Sequence, residues 1–376
     1  MEIMNADELW VAALDQPPLW IAATKYGHDQ AEKIRQLVEE GADIDEKAGR
    51  WETTALHQAV RFGTKEAVLT LLEIGADVDS KDVNGKASIH MAVSDFRGYQ
   101  GFEINDFITR DLDSEMFAKV HQLIMYRADI SATDNDGETS LHIIPKDLEF
   151  IAGAPPDYAE HVEALQTFRL LLENTPDPSA KDKKGNTPLH YTTLWGDTAF
   201  MHPLIERGVD VSAKNLEGKT PLHMAAAHIE GEPFVCTGTA WEGHCDAALL
   251  LLQNFADISD TDNGGNTTLH IAAEHGYSQM VSVLLEKRAD LSATNHAGKT
   301  PLDVSVNILG QRETWIDTGT DGFPPGHAKV TGMLRTAEAR RAACTALAMG
   351  HHTRLGDVSV LMTLPPELMQ SIQWHI

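Results

Sequence analysis

Six histidines recur in one context, at positions 57, 90, 142, 190, 223 and 270, each closing a tetrapeptide such as Thr54-Ala55-Leu56-His57 or Thr187-Pro188-Leu189-His190. A column of imidazoles invites two chemistries, metal ligation and proton relay, because histidine is both a common metal ligand and the side chain that titrates near neutral pH. A third role needs neither. A neutral imidazole at a helix start can accept from its own turn and donate to the neighbouring segment, and all six are assigned to that structural role. Cys236, His244 and Cys245 lie near each other and His351 is beside His352, but neither set has the spacing of a closed zinc site. The chain has no phosphate loop, no Gly-rich dinucleotide fingerprint, no His-Glu-x-x-His and no nucleophile elbow. The expectation is therefore no catalysis, no cofactor and no metal; an enzyme or metal-binding protein is the least favoured class, and metal analysis of the purified protein would expose the latter.

The elements that position these histidines are short and repeated. Thr267 to Asn295 holds one uninterrupted unit. Thr267 or Thr268 can cap a first helix, since a side-chain oxygen satisfies an orphan N–H of the first turn. Leu269, Ile271, Ala272 and Ala273 make its apolar face, and Gly276 can end it in the left-handed geometry that glycine adopts cheaply. Met280, Val281, Val283, Leu284 and Leu285 then recur at helical spacing. Neither helix is long enough to stand alone in water, so the unit requires neighbours.

Those neighbours are present. The tetrapeptides start at Thr54, Ala87, Thr139, Thr187, Thr220, Thr267 and Thr300 (the last ending in Asp303), and Pro17-Pro18-Leu19-Trp20 reads as a degenerate first copy. Three of the steps between them are 33 residues and the others are longer. A period of 33 with this tetrapeptide is the signature of two helices plus a turn per repeat. From about residue 17 to residue 340 the sequence resembles the ankyrin-repeat family. The resemblance implies an all-α ankyrin-repeat solenoid of about eight helix-turn-helix repeats, the histidine bonding role already described, and protein recognition on the concave side. One departure stands out: the finger asparagine that family hydroxylases modify is replaced by Asp45, Asp79, Ser131, Ser179, Ser212, Ser259 and Ser292, which predicts a poor hydroxylase substrate.

Between repeats the chain forms fingers. Asp82 to Gly85, Asp134 to Gly137, Asp182 to Gly185, Asn215 to Gly218, Asp262 to Gly265 and Asn295 to Gly298 each open on an Asx residue and close on glycine. Asx side chains bond their own backbone two residues on, and the glycine takes the positive φ of the turn. The tip residues vary and include Lys183, Lys184, Leu216, Glu217 and His296, while the longer first finger carries Arg50 and Trp51.

A net charge of −26 argues against a phosphate-neutralising face, so no nucleic acid is expected as a partner, and favours protein partners with a basic surface. Three cysteines point to a reducing compartment, hence the cytoplasm, with the nucleus or the cytosol of an infected host as variants of the same environment. No leader opens the chain, and its longest apolar run, Ala247 to Leu252, is too short to span a bilayer, so no membrane partner is expected.

The extra residues of the longer steps fall inside repeats, between the first and second helix, near 94–113, 145–159, 229–243 and 307–326. These insertions hold ten aromatic residues, among them Phe96, Tyr99, Trp241 and Trp315. Long loops in a compact array are often functional, and equivalent loops share one edge. The competing surface is the concave one, with Trp51, Lys183, Lys184, Leu216 and Glu217 at the fingertips; it ranks slightly ahead because the resemblance supports it.

Both ends read as helical. Residues 1–16 form an N-terminal cap helix, with Asn5 as cap and Leu9, Trp10, Val11, Ala13 and Leu14 apolar; residues 341–376 form a C-terminal helical tail. In that tail Leu364, Pro365, Pro366, Glu367 and Leu368 with Ile372 resemble the opening of an F-box, as in viral ankyrin proteins that end in a truncated one. That resemblance implies docking to a cullin-ligase adaptor; a plain capping helix explains the same residues. A SOCS-type box would use Cys344 but has Arg340 where leucine is expected. The function expected is a non-catalytic protein–protein scaffold or adaptor, with a ubiquitin-ligase substrate receptor as the alternative.

Overall fold

The structure is a computed structural model of the chain and describes residues 17–24, 29–94, 115–147, 159–227, 239–312 and 326–350. The cap helix expected over 1–16 and the residues from 351 onward lie outside them. Two compact units make up the chain, Met1–Leu216 and Glu217–Ile376.

The first unit pairs α1 (Pro18–Thr24) with α2 (Gln30–Glu39), α3 (Ala55–Phe62) with α4 (Lys65–Ile74), α5 (Ser88–Val93) with α6 (Met116–Met125), α7 (Ser140–Asp147) with α8 (Ala159–Asn174), and α9 (Pro188–Leu194) with α10 (Thr198–Glu206). The second pairs α11 (Pro221–Ala225) with α12 (Thr239–Gln253), α13 (Thr268–His275) with α14 (Ser278–Glu286), and α15 (Pro301–Arg312) with α16 (Gly326–Gly350). These are eight helix pairs, and within each unit inner helices pack on neighbouring inner helices and outer on outer. No strand occurs among the described residues; isolated antiparallel bridges such as Lys81 to Ala87 close the base of a finger. Among the described residues no helix is long and apolar enough to cross a membrane.

The tetrapeptide builds the core. Its third residue, from Leu56 and Ile89 through Leu141, Leu189, Leu222 and Leu269, is fully buried between inner helices. The outer layer is filled by Leu71, Leu123, Phe168, Leu171, Phe200 and Leu204, with Phe168 and Phe200 edge-to-face at 5.2 Å. Thr267 is the N-cap of α13, and Gly276 ends that helix at φ 74°, donating to the Ala272 carbonyl.

Helix ends differ from the sequence reading at four places. An insertion is expected from residue 145, yet α7 carries Pro145 inside it and extends to Asp147. The sequence predicts a loop over 229–243, yet α12 covers Thr239 onward and includes Trp241. Likewise α15 runs through Asn307 to Arg312, and α16 continues to Gly350, so the stretch 341–350 extends the last outer helix. The physical reason is common to the last three. Gly243 and Gly310 each cost a helix only about 1 kcal/mol, residues 340–349 are mostly alanine, arginine, leucine and methionine, and no proline intervenes.

Candidate interaction site

The histidines act as joints. In five of the six tetrapeptides (His57, His142, His190, His223 and His270) the threonine amide donates to histidine Nδ1 at 3.1–3.2 Å, and in the Ala87 copy the alanine amide does the same to His90. That leaves the proton on Nε2, which donates onward to the next repeat: His57 to the Lys86 carbonyl at 3.1 Å, His90 to Ala132 at 2.9 Å, His142 to Asn186 at 3.2 Å. Within the second unit His223 reaches Asn266 and His270 reaches Lys299. Burial is the main force holding the imidazoles of His57, His90, His142 and His270 below their usual pKa, so they stay neutral. Asp303 substitutes in the last repeat, where its carboxylate accepts from the Thr300 amide and hydroxyl, capping its own turn.

The fingers are stitched together as well. The side chains of Asp82, Asp134, Asp182, Asp262 and Asn295 each accept two backbone amides of their own turn, Asp182 from Lys184 and Asn186 at 2.8 Å each. Each tip then bonds the next: Val83 N–H to Trp51 O, Asn135 to Asn84, Lys183 to Asp136, and Leu216 to Lys184. Gly185 has two reasons to be glycine. Its φ is 76°, and a Cβ there would sit 2.8 Å from the Leu216 nitrogen. Lysines add a second ladder, with Lys47 Nζ donating to the Lys81 carbonyl, Lys81 to Thr133 and Lys181 to Lys214. At the family's asparagine position, Asp45 and Asp79 accept from the Asp77 and Asp129 amides of the following repeat, whereas the Ser131 amide and hydroxyl bond back to Asp129.

This scaffold leaves one groove of about 360 Å³ on the finger side of the inner helices of the second, third and fourth repeats. Its lining is a grid fixed by the period. Thr53, Lys86 and Glu138 stand four residues before the histidines, Gln58, Met91 and Ile143 one after, and Arg61, Ser94 and Lys146 four after. Met91, Ile143 and Gln58 form a buried floor, while Arg61 and Trp51 are exposed at the rim. Trp51 is 46 % exposed, and its ring carries the Arg50 guanidinium 4.7 Å from its centroid. Lys146 pairs with the buried Glu138 carboxylate at 2.7 Å and lies 6.0 Å from the Tyr191 ring. Lys86 is half-buried and its ammonium makes no ion pair among the described residues. The groove thus offers an aromatic edge, a floor of Met91 and Ile143 beside Gln58, and the cations of Arg61, Lys86 and Lys146.

Of the residues singled out from sequence, Trp51 lines this groove. Lys183, Lys184 and Leu216 lie on the same ladder of fingertips in the first unit, with Leu216 71 % exposed and the Lys183 ammonium bonded to the Asn135 carbonyl. Glu217 is the first residue of the second unit, where its carbonyl accepts from Asn263 and its carboxylate meets Lys219 at 2.7 Å. Trp241 belongs to α12 rather than a loop. Phe96, Tyr99, Trp315 and the tail residues Leu364, Pro365, Leu368 and Ile372 lie outside the described residues. Sequence reasoning missed Arg61, Lys86, Met91 and Lys146, although their fixed offsets from the histidines were the available signal.

Comparison with known proteins agrees with this architecture. Models described as ankyrin repeats match residues 6–100 and 158–237 (three copies) and 251–305 (many copies), together more than half of the chain. The human neurogenic locus notch homolog protein 2 is 29% identical over 167 residues, covering 40% of this chain and 6% of that protein. The Xenopus laevis neurogenic locus notch homolog protein 1 is 29% identical over 175 residues, covering 42% and 6%. The chain therefore spans only a small fraction of these relatives. Among solved structures, the ankyrin repeat domain of Bcl-3, a member of the IkappaB protein family, aligns with a TM-score of 0.51 at 21% identity, over 72% of this chain and 99% of that one, a likeness of fold.

Proposed function

This chain belongs to the ankyrin-repeat family, and on that premise we propose that it is a non-catalytic scaffold or adaptor that holds a protein partner in the groove over its second to fourth repeats. The carrying observation is the grid itself. The period assigns histidines, Asx residues and finger glycines to joints, and leaves Trp51, Arg61, Lys86 and Met91 facing the groove. Tryptophan and arginine are the side chains most often found as binding anchors. At longer range the charge of −26 draws partners with a basic surface and speeds encounter. The reducing interior of a cell, the cytoplasm above all, is the proposed place of action, in keeping with three sparse cysteines.

The competing surface is the inserted edge, with Phe96, Tyr99, Trp241 and Trp315 as its anchors. Two quadruple alanine variants separate the two, one at Trp51, Arg61, Lys86 and Met91 of the groove and one at the four aromatics. Each is checked by circular dichroism and by capture of a cross-linked partner. Loss of capture with the first set alone is expected; loss with the second set alone overturns the reading.

A second reading rests on the tail. Leu364, Pro365, Leu368 and Ile372 would dock a cullin-ligase adaptor, making the chain a substrate receptor. Deleting residues 355–376 then removes ligase components from the captured material and leaves the other partner bound; if nothing changes, the tail has no such role.

A further inference from the structure

A second groove lies in the second unit, between the outer helices α14 and α16, with a volume of about 1020 Å³. Its floor is apolar and half-buried: Leu285 and Ala289 from one side, Met333 and Ala337 from the other. It exists because α16 presents small residues there. A Cβ built on Gly332 would meet nothing within 4 Å, and Thr336 and Ala337 follow one turn on. Glycine inside a helix costs about 1 kcal/mol relative to alanine, so nothing in helix formation explains keeping that position empty.

The rim is basic in a strongly acidic chain. Arg288, Lys329, Arg340 and Arg341 surround the groove, against Glu286 and Asp290. Arg341 is committed, donating to Asp290 at 2.8 Å and to the Ser292 hydroxyl at 3.3 Å. The Ser292 amide and hydroxyl, with Arg341, hold the Asp290 carboxylate at a pKa of about 2, so it stays charged and the pair persists. Arg288, Lys329 and Arg340 are exposed and make no ion pair among the described residues. Like charges gathered without partners repel one another unless an anion joins them.

We propose that this outer groove is a docking site for a short acidic segment of a partner protein, whose carboxylates face Arg288, Lys329 and Arg340 while its apolar side chains lie on Leu285 and Met333. Charge complementarity sets the sign of the occupant. It also disfavours a second copy of this chain, because two chains that each carry a net charge of −26 repel one another. The site is independent of the groove over the second to fourth repeats and remains if that reading fails.

Fluorescence anisotropy with the full chain tests it. The probe is a labelled 14-residue peptide of glutamates with leucine at every fourth position, run beside the same peptide with lysine for glutamate. Two variants of the chain accompany the parent: Lys329→Glu with Arg340→Glu, which reverses the rim, and Gly332→Phe, which fills the floor without altering charge. The acidic peptide is expected to bind the parent, and each variant to weaken it at least tenfold while circular dichroism and the unfolding midpoint hold. No binding to the parent, equal binding of the lysine peptide, or variants that bind like the parent would overturn the proposal. Self-association of the parent that the rim reversal abolishes overturns it in favour of a second copy.

Discussion

The groove over repeats two to four and the outer groove between α14 and α16 are both lined by lysine and arginine, but the architecture holds the cations differently. On the finger side most cations near the groove already have work. Lys146 neutralises buried Glu138, Lys183 bonds the Asn135 carbonyl, and Lys47, Lys81 and Lys181 run from finger to finger. Only Lys86 among the groove lysines is left without an ion pair among the described residues. On the outer layer the reverse holds: one cation, Arg341, is bonded, and Arg288, Lys329 and Arg340 are not. A periodic scaffold assigns most of its polar side chains to joints. Those it leaves unassigned are where recognition chemistry is to be sought, and the number left over differs between regions of one molecule.

If that division is right, substitutions at joints cost stability and substitutions at unassigned positions do not. The largest effect is expected in the apolar layer that the joints enclose. Leu222 is 1% exposed, and Leu222→Ala should destabilise by about 2–5 kcal/mol in denaturant unfolding. An unchanged midpoint would place the tetrapeptide outside the core. Next comes the finger ladder. Gly185→Ala puts a Cβ 2.8 Å from the Leu216 nitrogen at φ 76°, and should cost about 1–3 kcal/mol; a neutral result means the finger spacing adapts freely.

The histidine joints follow. His223→Ala strands the Thr220 amide and the Asn266 carbonyl and should cost about 1–2 kcal/mol. The same joints set a pH dependence. His57, His90, His142 and His270 have folded pKa values below the unfolded value near 6.5, so the unfolded chain binds more protons. Their contribution is complete above about pH 6.5 and is lost as pH falls below it. His161 opposes this weakly. Its bond to Asp197 raises its pKa, so its contribution is present below about pH 6.5 and lost as pH rises through the raised value. Four joints outweigh one pair, and urea midpoints should fall between pH 7 and pH 5; a rise would mean the joints are protonated when folded.

The smallest effect belongs to an ion pair outside both grooves. Arg35 meets Glu73 at 3.0 Å with both side chains about half exposed, and Arg35→Ala should cost less than about 1 kcal/mol. A larger loss would show that an ion pair outside the joints carries the stack, and the division into joints and unassigned positions would fail.

Much of this was legible in the sequence because it is local and periodic. Thr267, Gly276, the Asx turns and the Nδ1 bonds of the six histidines act within a few residues of themselves, so their types and spacing announce them. The ends of α12, α15 and α16 were not legible. Gly243 and Gly310 weaken a helix without stopping it, and no proline stands in these stretches to break it. The floor of the first groove was half legible: Lys86, Met91 and Lys146 sit at constant offsets from the histidines, but no residue type marks those columns. The outer groove was hidden, because its opening depends on Gly332, Thr336 and Ala337 facing α14 across a distance in sequence that no local pattern records.

The most direct measurement sets a joint pair against a groove pair in the same full chain. Lys47→Ala with Lys81→Ala cuts the lysine ladder; Trp51→Ala with Lys86→Ala empties the groove while leaving the Lys86 carbonyl for His57. Both are followed by urea unfolding and by capture of the partner identified with the parent chain. The ladder variant is expected to unfold at lower urea and keep its capture, and the groove variant to unfold with the parent and lose it. A groove variant that captures like the parent, or a ladder variant that loses capture at unchanged stability, would contradict the assignment of joints and recognition positions.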